Sequence, residues 1–114
     1  MKRRISVAAQ HDIAAILDWS ADHFGAAARA RYERLIERAL TMITIHRDPS
    51  GGRIISGVFA RRLYHLRNCR ADSVGETVGN PRHVIVYQIV EPDLVVVARI
   101  LHDAMDLPAH FTDG

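Results

Sequence analysis

At 114 residues, with 48% apolar and 25% charged side chains, the chain has the size and balance of a single globular domain over residues 1–114. It has no apolar run of about 18 residues, which excludes a transmembrane helix, and its N-terminal apolar stretch stops at Gln10, too soon for a secretory signal. A formal charge of +2 permits contact with a polyanion without requiring it and suits an acidic protein partner equally well, while a lone cysteine, Cys69, excludes an internal disulfide and fits a reducing cytoplasm.

Lys2 to Ala8 alternates enough to predict a first strand, with Ile5 and Val7 on one side. A helix should follow over about 9–23, because Ile13, Ile16, Leu17 and Ser20 recur at helical spacing. Asp12, read as lying in its first turn, suits the positive end of the helix dipole. Gly25 ends it, and a second helix is predicted over about 26–46. Ala28, Tyr32, Leu35, Ile36, Ala39 and Ile43 form its apolar stripe, with Arg34, Glu37, Arg38 and Thr41 opposite. Only Gly25 separates the helices, so they should form an antiparallel hairpin that buries Ile13, Leu17, Leu35, Ile36 and Ile43. Asp48 to Gly52 then breaks the helix.

The second half reads as β structure. Strands are predicted over 53–55 and 61–67, a long polar loop over 68–81, and strands over 82–90 and 94–101. Glu91, Pro92 and Asp93 link the last two as a hairpin. Both are apolar on two faces, so whatever the helices leave uncovered is either closed by other residues or used for binding. The expected fold is α+β: an N-terminal strand, then an antiparallel helix hairpin packed on one face of an antiparallel sheet of three or four strands.

Candidate chemistry gathers in "RILHDAMDLPAHF", residues 99–111. His102, Asp106 and His110 have the spacing of ligands on one helical face, but Pro108 breaks that helix, and there is neither a CxxC nor an HExxH pattern. No metal and no other cofactor is expected. RNA cleavage would need an acid, a base and phosphate-binding cations. His102 and Asp103 could supply the first two, with Arg61, Arg62, Arg67, Arg82 and Arg99 as cations and Tyr87 as a stacking platform. The plainer reading makes Asp103 or Asp106 a cap or an ion-pair partner of Arg99, which would share a strand face with Val95 and Val97. Trp19 lies beside the stripe of the first helix. It either closes the edge of the hairpin or anchors a partner. Cys69, in the polar loop, is expected to be an inert thiol.

Four stretches are similar to a known family. "RILHDAMDL" (99–107) resembles the C-terminal signature of the ParE branch of the RelE/ParE toxin superfamily. "PRHVIVYQI" (81–89) resembles its penultimate strand. "AAQHDIAAILDWSADHFG" (8–25) resembles its first helix, with Asp12 and Ile13 at the usual Asp-Leu, and "RDPSGGR" (47–53) resembles the turn after its second helix. The resemblance implies the toxin of a type II toxin–antitoxin module of the plasmid-stabilising kind. It implies inhibition of DNA gyrase and neutralisation by the arm of a ParD-like antitoxin, in the cytoplasm, without membrane contact or direct nucleic-acid binding. On this reading Arg99, His102, Asp103, Met105 and Asp106 contact the target, none of them catalytically, and Trp19, Phe24 and Tyr32 contact the antitoxin. Met105 stands where many ParE-like sequences have arginine, so a role resting on that arginine does not transfer. Two alternatives stay open. One is a RelE-like, ribosome-dependent mRNA endoribonuclease using His102, Arg99 and Tyr87. The other is a non-toxic relic that still binds its antitoxin.

Overall fold

The computed structural model describes residues 1–46, 49, 53–54, 61–72 and 81–104. Strand β1 (Lys2–Ile5) leads into helices α1 (Val7–Phe24) and α2 (Ala26–Ile45). Strands β2 (Arg53–Ile54) and β3 (Arg62–His65), a 3-10 helix (Leu66–Asp72), β4 (His83–Val90) and β5 (Leu94–His102) follow. The sheet order is β1-β5-β4-β3-β2. From β2 to β5 the strands form the expected antiparallel meander. The N-terminal strand then adds to its β5 end as an edge strand, parallel to β5, with Lys2 opposite Leu94 and Ile5 opposite Val97. The helix hairpin carries the chain from one edge of the sheet to the other, and the meander brings it back.

The first strand is shorter than its alternation predicts, because Ser6 caps α1. Its Oγ accepts the Ala9 N–H at 3.0 Å, while its hydroxyl donates to the Ala98 carbonyl at 2.7 Å. The helix therefore starts at Val7, and Asp12 lies beyond its first turn, not in it. Gly25, at φ 90° and ψ 173°, joins the helices. Only glycine takes that conformation without strain.

Leu17, Leu35, Ile36, Leu40 and Ile43 pack from the helices onto Tyr64, Ile85, Tyr87, Val95, Val97 and Ile100 of the sheet. Each such side chain contributes roughly 1.5–3 kcal/mol on full burial. Ile13, expected in the core, packs against it partly buried. The opposite sheet face has its own buried cluster, Leu63, Val84, Val86 and Leu101. The two-sided apolar pattern thus marks a face that is closed at these four positions.

Two local departures follow from geometry. Val86 pairs with Arg99 but Tyr87 pairs with Val97, so Ala98 is a bulge. The bulge resets the alternation. Ile100 joins Val95 and Val97 on the helix side, where unbroken alternation would have put Arg99. The predicted strand over 61–67 ends at His65, and the predicted loop begins instead as the 3-10 helix. Its three-residue turn stacks Leu66 and Cys69 on one side, both fully buried. Cys69 is thus a core thiol against α2, its Sγ 3.9 Å from the Leu35 carbonyl, and not a loop residue. Ile55 and residues 73–80 lie outside the described residues. Among the described residues no helix is long and apolar enough to cross a membrane.

Candidate functional site

Three adjacent strands end together, and each brings a histidine. His65 closes β3, His83 opens β4 and His102 closes β5, with His83 and His102 register partners across the hairpin. Their rings meet edge to face at 5.4 Å between centroids. Asp103, one residue past β5, ties the group together. Its Oδ2 accepts from His65 Nε2 at 2.8 Å, and its Oδ1 accepts from Arg82 Nε at 2.9 Å. Its own N–H donates to the Arg82 carbonyl at 2.8 Å. Burial works against the Asp103 carboxylate, but the bonds from His65 and Arg82 outweigh it and hold the pKa below the usual value.

The same bonds assign the tautomers. His65 Nδ1 accepts the Arg67 N–H at 3.1 Å, so its proton is on Nε2 and points at Asp103. His102 Nδ1 accepts the Ala104 N–H at 3.0 Å, which also leaves the proton on Nε2. On α2, Tyr32 receives the Arg82 N–H at its hydroxyl oxygen, so the hydroxyl proton goes to His83 Nδ1 at 2.6 Å. Burial, with the neighbouring His102, His65 and Arg82, pushes the His83 pKa down to about 4, against an opposing pull from Asp103. Burial also pushes the Tyr32 hydroxyl up to about 12. His83 is therefore a neutral acceptor near pH 7 and Tyr32 a neutral donor. Among the described residues no group of three His, Cys, Asp or Glu side chains is arranged to hold a metal ion.

Arg99 lies elsewhere. Its Nε and one terminal nitrogen donate to Asp12 of α1 at 2.8 and 3.0 Å, and Asp12 also accepts the Ile100 N–H at 2.9 Å. Where β1 ends, Ser6 and Asp12 thus take over the hydrogen bonding of the β5 edge. This replaces the expected pairing of Arg99 with Asp103 or Asp106. Of the three residues named for RNA cleavage, Tyr87 is 1% exposed in the core, Arg99 is engaged by Asp12, and His102 has a side chain 46% exposed. Met105, Asp106, Pro108 and His110 lie outside the described residues.

The partner-binding trio is also split. Tyr32 belongs to the histidine cluster. Trp19 and Phe24 sit together at the tip of the hairpin, 52% and 68% exposed, their rings 5.6 Å apart. His23 stacks on Trp19 at 4.2 Å while its Nδ1–H donates to the Trp19 carbonyl. His65 and His83 were missed because each looks like an ordinary strand residue. Only the pairing of β3, β4 and β5 places them beside His102.

Among curated proteins, none matches the chain significantly. The family model described as "ParE toxin of type II toxin-antitoxin system, parDE" matches residues 3–107. That span takes in every described element almost completely, from β1 through the strand-end cluster, and on it the chain belongs to the ParE toxin family of type II toxin–antitoxin systems.

Proposed function

We propose that this toxin-family protein inhibits DNA gyrase by binding it, without covalent or hydrolytic chemistry, in the cytoplasm. A ParD-like antitoxin, whose arm covers Trp19 and Phe24, would neutralise it. The contact with gyrase is assigned to the strand-end surface carrying His102 and Asp103 and the residues that follow, Met105 and Asp106, with Arg99, farther back on β5 and held by Asp12, as a separate contact. One observation carries the reading. Most of the described polar side chains suited to chemistry here are committed to one another, Asp103 to His65 and Arg82, Arg99 to Asp12, and Tyr32 to His83, and among the described residues the half-exposed His102 has no acid or base beside it aimed at a substrate position. A general acid or base must instead be aimed at a substrate proton. Such a surface fits recognition better than proton transfer.

The test runs a gyrase supercoiling assay beside a translation reaction whose mRNA is read by primer extension. Supercoiling should fall and the mRNA should stay whole. His102→Ala should fold normally and weaken the inhibition by a few-fold, whereas removal of a positioned acid or base costs about a hundredfold or more. Codon-spaced cuts that vanish in His102→Ala, with supercoiling untouched, would replace this reading with ribosome-dependent endonuclease action.

A further inference from the structure

Helix α1 carries three aspartates and neither lysine nor arginine. Asp12 is spent on Arg99. Asp18 and Asp22 are both exposed, and among the described residues neither makes a hydrogen bond or ion pair. They stand four residues apart, where like charges on a helix repel. They also lie in its last two turns, where the dipole is negative and anions are disfavoured. Two electrostatic preferences of a helix are therefore unmet at one place, and among the described residues no lysine or arginine pairs with either carboxylate. The same turns expose Trp19 and Phe24. Local conflicts of this kind, left uncompensated, mark surfaces shaped by something other than stability.

We infer that the hairpin tip docks a cationic, amphipathic segment of a protein partner. An arginine or lysine would sit against Trp19, flanked by Asp18 and Asp22, and an apolar side chain would cover Phe24. The inference rests on the reading that a partner protein covers Trp19 and Phe24, and it adds the charge of the segment that does so. The net charge of +2 suggests an acidic partner, but the local field at the tip is the opposite. An acidic arm, a nucleic acid and an anionic membrane would each meet the exposed carboxylates of Asp18 and Asp22 there.

Trp19 is the only tryptophan, so its fluorescence reports on the tip alone. The full chain is titrated with an amphipathic helical peptide of leucine and arginine, and with its leucine–glutamate counterpart. Both titrations are run in the same low-salt buffer. The arginine peptide should shift the emission and bind about tenfold tighter than the glutamate peptide. The double variant Asp18→Asn, Asp22→Asn should weaken it by a similar factor, and about 0.5 M salt should do the same to the wild type. The free variant should unfold at the same urea concentration as the wild type or a higher one. Equal or tighter binding of the glutamate peptide would overturn the charge assignment while leaving the tip a docking site. No response to either peptide would overturn docking at the tip itself. Unchanged affinity in the variant, or a variant that unfolds more easily, would show that the carboxylates serve another purpose and would also overturn the proposal.

Discussion

A single carboxylate, that of Asp12, joins the first helix to the last strand. It receives two bonds from Arg99 and one from the Ile100 backbone, all 3.0 Å or shorter. The guanidinium responds as a paired cation should, its pKa raised by the Asp12 bond against the cost of burial. Asp12→Ala leaves the Ile100 N–H without its acceptor and Arg99 without its counter-ion. Bonds to charged groups are worth about 1.5–3 kcal/mol, and Arg99 is 40% exposed, so the loss should fall toward the lower end. Urea unfolding of the variant checks this, and a midpoint equal to the wild type would mean that solvent already screens the pair. The Asp12–Arg99 pair was not legible in the sequence. The residues are 87 positions apart, and the local rule for an aspartate early in a helix offered a sufficient but wrong explanation. Tyr32 is a similar case. Its place on the apolar stripe was readable, but its hydroxyl is bound by a strand that only the fold brings near.

The helix hairpin was the most legible element, because two stripes of 3.6-residue period flank one glycine. The one-residue link also makes it sensitive. Gly25 has φ 90° and ψ 173°, and a Cβ added there would meet nothing within 4 Å. The cost of Gly25→Ala is therefore backbone strain alone, about 1–3 kcal/mol. Thermal unfolding followed by helical circular dichroism should show a lower midpoint with unchanged helix content at low temperature. A neutral substitution would mean that the link relaxes to another conformation. The strands were less legible than the helices. Continuous β-branched apolar runs locate β4 and β5 well, but an inserted residue such as Ala98 leaves no mark in composition and reverses the side of everything after it. The parallel pairing of β1 with β5 was equally hidden, since a four-residue basic strand contains nothing that names its neighbour.

Across the whole molecule, the candidate surface exists only because three strands end in register. The sequence shows His102 and Asp103 beside each other, but it takes the sheet to add His65, His83 and Arg82, and the packing of α2 to add Tyr32. This assembly links the stability of the fold to pH. His83 has a folded pKa of about 4, set mainly by burial and by the neighbouring cations and imidazoles, against an ordinary value of 6.5. Between those values the unfolded chain binds a proton that the folded chain does not. Stability is then complete above about pH 6.5 and is lost as the pH falls toward 4. Asp103 adds a second loss at lower pH. Its carboxyl titrates below the ordinary 3.8, so the stability it supplies is present above that value and disappears as the pH falls through its depressed pKa. The urea midpoint should therefore decline from pH 7 to pH 4 and fall further below that. His83→Gln, which keeps an acceptor for the Tyr32 hydroxyl but cannot be protonated, should flatten the first part of the decline and leave the second. If the slope between pH 6.5 and 4 were the same in the variant, another group would be taking up the proton, and His83 would not be the half-buried neutral base that its contacts with Tyr32 and His102 describe.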